Sequence, residues 1–215
     1  MAFDLVIFDC DGVLVDSELI SNTVLAAMLT EIGLPVTYEE SVRLFLGRSW
    51  AACTEIIEAR LGRLLPDGFR ENYYERMFEA FKKDLRPVPG IVDVLDSIDI
   101  PYCVASSGEH YKMRTTLGVT GLLPGFEGKM FSATEVERGK PAPDLFLYAA
   151  AQMNASPERC AVVEDSPTGA KAGVAAGMTV FGYAGMSDGK ALKNAGAHVF
   201  SKMSELIGLL NQFKT

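Results

Sequence analysis

Leu5-Val-Ile-Phe-Asp9-Cys-Asp11-Gly-Val-Leu-Val-Asp16-Ser17-Glu18 is the stretch from which the rest of the chain takes its meaning. Leu5 to Phe8 is an unbroken apolar run, which predicts a strand buried on both faces. It ends in two carboxylates, Asp9 and Asp11, with Gly12 directly behind them. Acids at the end of a buried strand are costly unless paired, hydrogen-bonded or bound to a metal. A period of two sends Asp9 and Asp11 to the same side, where they can act on one ligand. Gly12 lets the backbone turn and a ligand approach. Taken alone, Asp-x-Asp-Gly is also an ordinary acidic turn, so the later strand ends must decide between the two readings.

After this strand the apolar period becomes helical. Ile20, Val24, Ala27 and Met28 mark a helix between Ser17 and Ile32, stopped by Gly33 and Pro35. Thr37-Tyr-Glu-Glu40 is a capping box opening a short helix that Gly47 ends. Ser49 caps a third helix running to Leu61, closed by Gly62. Phe69, Tyr73, Met77 and Phe81 lie four apart on a fourth. Four helices with no strand between them predict a separate helical module, residues 17–86, with Pro87-Val-Pro89-Gly90 leading back.

From Ile91 onward, helices and strands alternate. A helix over Ile91 to Ile98 precedes a strand Tyr102 to Ser107 that ends in Gly108. A short strand falls near Met130-Phe131, and Arg138-Gly-Lys140-Pro-Ala-Pro-Asp144 leads into a helix through Met153. The next strand, Cys160 to Val163, ends in Glu164-Asp165-Ser166, with Pro167 set for the first helical turn and Ser166 for its cap. Strands at Thr179 to Tyr183 and His198 to Phe200 and a terminal helix complete the pattern. Such alternation implies an α/β fold, a Rossmann-like parallel sheet covered on both faces, built from residues 1–16 and 87–215. Gly169, Gly173 and Gly177 do not form a dinucleotide fingerprint; their spacing predicts close helix–sheet packing, with Gly177 ending the helix.

Composition narrows the function classes. The chain has 215 residues, of which 48% are hydrophobic and 22% charged, as in a soluble globular protein. No apolar run reaches the ~18 residues that a membrane span needs. Asp4 interrupts the N-terminus before a signal-peptide core could form, so a cytoplasmic address is expected. Cys10, Cys53, Cys103 and Cys160 form no C-x-x-C pair and read as buried small hydrophobes in a reducing compartment. His110 and His198 lack ligand spacing. A formal charge of −8 argues against nucleic acid or an anionic membrane as partner, and requires local cations at any site for an anionic substrate.

Ligands of open parallel sheets sit beyond the carboxyl ends of the strands. The polar residues there are Asp9 and Asp11, Ser106 and Ser107, and Glu164 and Asp165, with Lys140 on a loop at the same end. Facing carboxylates without His or Cys suit Mg²⁺, completed by water and substrate oxygens. A hydroxyl, an ammonium and Mg²⁺ can together clamp a phosphoryl group, and a carboxylate is a competent nucleophile towards phosphorus.

With these residues in view, the sequence resembles the haloacid dehalogenase (HAD) superfamily, and within it the phosphatase-like members whose helical cap lies between the first two motifs. Asp9-Cys-Asp11-Gly12-Val resembles motif one, Val104-Ala-Ser106 motif two, Lys140-Pro-Ala-Pro-Asp144 motif three, and Glu164-Asp165-Ser166 motif four. The resemblance implies that Asp9 attacks phosphorus and forms an aspartyl-phosphate. Asp11 would protonate the leaving oxygen and then activate water. Ser106, Ser107 and Lys140 would hold the phosphoryl oxygens. Mg²⁺ would be bound by Asp9, the Asp11 carbonyl and Asp165, with Glu164 a metal-adjacent acid or the orienter of Lys140. Residues 17–86 would form the cap, with Glu18, Arg48, Lys82 and Lys83 as candidate substrate contacts. The implied activity is hydrolysis of a small phosphorylated metabolite, a sugar or sugar-acid phosphate. A sugar-phosphate mutase of the β-phosphoglucomutase type shares all four motifs. Such mutases carry a His where this chain has Ser21, and Glu18 stands where many phosphatases carry an acid. Dehalogenation has no use for the acid/base that Asp11 supplies. A non-catalytic phosphoacceptor or sugar-phosphate sensor is the alternative outside enzymes, yet receiver domains lack an inserted cap.

Overall fold

The computed structural model describes residues 3–46, 48 and 50–212. The expected helix end at Gly47 and cap at Ser49 lie outside these residues. The chain divides into two compact units, Met1–Asp16 with Arg86–Thr215, and Ser17–Leu85.

In the second unit, α1 (Glu18–Glu31), α2 (Tyr38–Phe45), α3 (Trp50–Leu61) and α4 (Phe69–Asp84) follow one another. The Thr37–Glu40 capping box forms as the sequence predicts, with the Thr37 side chain accepting from the Glu40 N–H at 3.2 Å. The expected stripe of α4, Phe69, Tyr73, Met77 and Phe81, is buried, and Tyr74 and Phe78 beside it are half-buried. The inward face of α1 differs from the expected stripe. It carries Asn22, Leu25, Ala26, Met28 and Leu29, whereas Ala27 is exposed and Ile20 and Val24 are half-buried. Leu25, Met28 and Leu29 set this face, and Asn22 joins it because Ser41 Oγ donates to Asn22 Oδ1 at 2.9 Å, a buried polar pair.

The first unit is the α/β domain. Its helices are α5 (Ile91–Ser97), α6 (His110–Val119), α7 (Leu123–Phe126), α8 (Asp144–Gln152), α9 (Pro167–Ala175), α10 (Gly189–Asn194) and α11 (Leu206–Gln212). Among the described residues its sheet has strands β1 (Leu5–Phe8), β2 (Tyr102–Ser106), β3 (Met130–Ser132), β4 (Cys160–Glu164), β5 (Thr179–Tyr183) and β6 (His198–Phe200). Every pairing is parallel, in the order β3-β2-β1-β4-β5-β6. β1 is central and fully buried. The chain builds outward from β1 to β3 and then returns to place β4 on the other flank. That reversal leaves a crevice at the carboxyl ends of β1 and β4, where open sheets of this kind bind ligands.

Leu5 and Ile7 join Phe146, Ala149, Val162 and Ala172 in one cluster that packs α8 and α9 on the sheet. Small residues allow this approach: a Cβ on Gly173 would stand 2.6 Å from Val180 Cγ2. Gly177, at φ +76°, lies just beyond the end of α9, as its spacing predicts. All four cysteines are buried and free. Burial pushes the Cys53 and Cys160 thiols up to about 11, which leaves them unreactive. No helix among the described residues is long and apolar enough to cross a membrane.

Candidate active site

β1 ends at Phe8, three residues short of the Asp11 that an Asp9–Asp11 strand alternation requires. Asp9 still follows the sheet, its N–H donating to the Val163 carbonyl at 2.9 Å. The chain then leaves it. Leu14 and Val15 N–H both return to the Cys10 carbonyl, and Gly12 N–H donates to the Val15 carbonyl. Gly12 takes φ +76°, a conformation that L side chains rarely adopt, so this tight loop demands glycine. Any Cβ there would also overlap the Asp165 carboxylate. The bare glycine therefore lets motif one and the end of β4 meet.

Register places the acids. Phe8 pairs with Val163 and Val163 with Phe181, so Asp9 and Glu164 end adjacent strands at the same level. Lys140 enters from the loop before α8 and bridges them, with Nζ 2.6 Å from Asp9 Oδ1 and 2.6 Å from Glu164 Oε1. It also donates to the Ala105 carbonyl at 3.2 Å and lies 4.9 Å from the centroid of the Phe146 ring. The Lys140 side chain is only 4% exposed, so it is a built-in cation and not a surface charge.

Glu164 is fully buried, and its second oxygen is occupied: Ser166 N–H and Oγ–H both donate to Oε2 at 2.9 Å. Ser166 Oγ in turn accepts from the Gly169 N–H and caps α9. A Cβ on Gly169 would overlap the Glu164 carboxylate. Pro167 occupies the first turn of α9, as its position in the sequence predicts.

Burial drives the Asp9 carboxyl up from 3.8 to about 7; the charges of Glu164 and Asp11 add to the rise and Lys140 opposes it. Burial alone would lower Lys140, but Asp9 and Glu164 outweigh it and hold the ammonium above its usual range. An oxygen from each of Asp9, Glu164 and Asp165 lies within 4.8 Å of the others. This oxygen-only set, together with the space that Gly12 leaves open, fits a hard divalent cation such as Mg²⁺. Protein donors already take both oxygens of Glu164.

Ser106 ends β2 and is 2% exposed. Its Oγ accepts from the Gly108 N–H at 3.0 Å, and the hydroxyl can still donate to an anion. Ser107, the next residue, is exposed. Ser132 Oγ donates to the Gly108 carbonyl at 2.8 Å and holds this turn to β3. Lys112 is a site residue that the sequence analysis does not identify. Its Nζ donates to Asp11 Oδ2 at 2.8 Å from the first turn of α6. The signal available was a Lys six residues beyond a strand-ending Ser.

The remaining candidates belong to the helical unit. Glu18 opens α1 and accepts from Asn22 Nδ2 at 3.1 Å. Arg48 is exposed between α2 and α3. Lys82 and Lys83 lie in the last turn of α4, with Lys82 2.6 Å from Glu79 Oε1.

The model of the family described as "haloacid dehalogenase-like hydrolase" matches residues 3–177. The chain is 34% identical over 202 residues to a 6-phosphogluconate phosphatase of Escherichia coli (strain K12), covering 94% of this chain and 91% of that protein. Among solved structures, a conserved haloacid dehalogenase-like protein of Agrobacterium tumefaciens str. C58 superimposes with a TM-score of 0.90 at 35% identity, covering 100% of both chains. A HAD family hydrolase of Deinococcus radiodurans R1, with bound phosphate and sodium, gives a TM-score of 0.83 at 32% identity, covering 98% of this chain and 96% of that one.

Proposed function

From the premise that the chain belongs to the haloacid dehalogenase-like hydrolase family, we propose that it is a Mg²⁺-dependent phosphatase that hydrolyses a small phosphorylated sugar or sugar acid. The observation that carries this reading is Asp9, a buried carboxylate at the end of the central strand, held by Lys140 and facing Asp165. The named activity of the Escherichia coli relative supports the substrate class. The phosphate bound by the Deinococcus radiodurans structure supports an anion site of this kind. Four buried free cysteines support a reducing, cytoplasmic setting.

Asp9 is the nucleophile. One of its oxygens attacks phosphorus in line, the bond from phosphorus to the leaving oxygen breaks, and that oxygen takes a proton from Asp11. Asp11, now ionised, takes a proton from water as the water oxygen attacks the phosphorus of the aspartyl-phosphate. Inorganic phosphate leaves and the Asp9 carboxylate is restored. Lys140 orients Asp9 beforehand and offers charge to the phosphoryl oxygens during transfer, and the Ser106 hydroxyl, with Ser107 beside it, supplies further hydrogen bonds. Asp9, Asp165 and the Asp11 backbone carbonyl would hold Mg²⁺, which would supply positive charge for the phosphoryl oxygens and favour the ionised form of Asp9. Glu164 acts by holding Lys140. Residues 17–86 would act as the cap that selects substrate and excludes water, with Glu18, Arg48, Lys82 and Lys83 as its candidate contacts.

Purified protein should hydrolyse p-nitrophenyl phosphate and members of a sugar-phosphate panel with Mg²⁺ and lose this activity with chelator. Asp9→Asn should abolish turnover while leaving the far-UV circular dichroism unchanged. Near wild-type rates in that variant would refute the assignment.

A further inference from the structure

Motif one pins its backbone thoroughly, yet its acid/base side chain is held from elsewhere. The loop from Cys10 to Val15 is closed by its own backbone hydrogen bonds, and none of these fixes the direction of the Asp11 carboxyl. Lys112 donates to Oδ2 of that carboxyl at 2.8 Å, across 101 positions of sequence. The pair is largely shielded, with side-chain exposures of 22% for Lys112 and 19% for Asp11.

Two features direct the lysine there. A Cβ on Gly108 would lie 3.3 Å from Lys112 Cδ, 3.3 Å from Ser106 Oγ and 3.9 Å from Asp11 Oδ2. The bare glycine after motif two is thus the surface over which the Lys112 stem passes to reach motif one. The backbone of Lys112 is tied as well: Thr116 Oγ1 lies 3.0 Å from the Lys112 carbonyl and 3.8 Å from Cys10 Sγ, beside Asp11. Helix α6 is therefore registered against the loop that it serves.

We propose that Lys112 is the positioning residue of the acid/base step. It holds one oxygen of Asp11 and so sets the plane in which the carboxyl meets the leaving oxygen. The inference rests on the phosphatase reading and extends it to a residue outside the four motifs. In the first half-reaction the phosphorus–oxygen bond to the leaving group breaks and that oxygen receives the Asp11 proton. A carboxyl turned away from the leaving oxygen cannot deliver it, and positioned proton transfer contributes roughly 10²–10⁴ in rate.

Leaving groups separate this role from others. p-Nitrophenolate departs without a proton, whereas an alkoxide from glycerol phosphate or a sugar phosphate needs one. In Lys112→Ala, kcat/KM should therefore fall at least about tenfold further for an alkyl phosphate than for p-nitrophenyl phosphate. Lys112→Met keeps an unbranched stem of similar length without a donor and carries the same expectation. Lys112→Arg, which can still donate to Oδ2, should recover most of the difference. Equal losses on both substrates would make Lys112 a phosphate ligand or a purely structural residue and overturn the inference, as would no loss on either. An active wild type with either result leaves the phosphatase reading standing. A wild type inactive on every phosphate ester overturns that reading, and this inference with it.

Discussion

Lys140 serves two carboxylates at once, and its removal should act on both stability and rate. Without it Asp9 and Glu164 face each other in a buried site, and breaking a buried pair of this kind costs roughly 3–5 kcal/mol. Lys140→Met should lower the urea midpoint accordingly, and kcat should fall roughly 10²–10³-fold in the fraction that folds, as for lost oxyanion donors. Asp9 makes the opposite prediction for stability. Its folded carboxyl titrates near 7 against 3.8 when unperturbed, so between these values the native state holds a proton that the unfolded state has lost. Stability of the metal-free protein falls as pH rises through that window. Asp9→Asn should therefore melt above wild type at pH 8 in chelator, by ~2–4 °C for each kcal/mol relieved, and the gap should close as pH drops towards 4. A lower melting point for the variant at pH 8 would contradict the burial account. Asp9, Ser106, Lys140 and Asp165 stand out as candidates in the sequence because each is a polar residue where an apolar strand ends or a glycine- and proline-marked loop begins. Lys112 does not, because a Lys in the first turn of a helix looks like a solvated charge until the fold carries it 101 positions back to Asp11.

Among the elements, loops and caps do the placing, and glycine does it by lacking a Cβ. Gly12 combines φ +76° with contact against Asp165, so Gly12→Ala meets both backbone strain and overlap. Strain of this type costs roughly 1–3 kcal/mol. Displacing Asp165 should also weaken Mg²⁺ binding by about 10–100-fold, as for other groups that orient metal ligands. Isothermal titration with Mg²⁺ checks this, and unchanged affinity would show that Asp165 has room to move. Periodicity found α4 because its inward positions are all large and apolar, at Phe69, Tyr73, Met77 and Phe81. It misplaces the face of α1 because a polar Asn22 lies on it, satisfied by Ser41, a partner in another helix. The six-residue α10 and the four-residue α7 are too short to show a helical period at all.

At the scale of the molecule, a six-stranded parallel sheet brings residues from four distant parts of the chain to the ends of its inner strands. That topology was readable because strand and helix patterns alternate with short loops after Ile91, and all-parallel order follows from such units. The candidate substrate contacts Glu18, Arg48, Lys82 and Lys83 carry no strand-end signature, so the sequence does not name the substrate. If Asp9 becomes a mixed anhydride with phosphate, as proposed, Asp11→Asn should trap it. With p-nitrophenyl phosphate this variant can still transfer phosphoryl to Asp9, because the leaving group needs no proton, but it lacks the base that activates water. Acid quench and peptide mass mapping should then find one phosphoryl group on the peptide carrying Asp9, converted to homoserine at position 9 by borohydride. Phosphoryl on any other residue, or none while p-nitrophenolate is released in a stoichiometric burst, would contradict it.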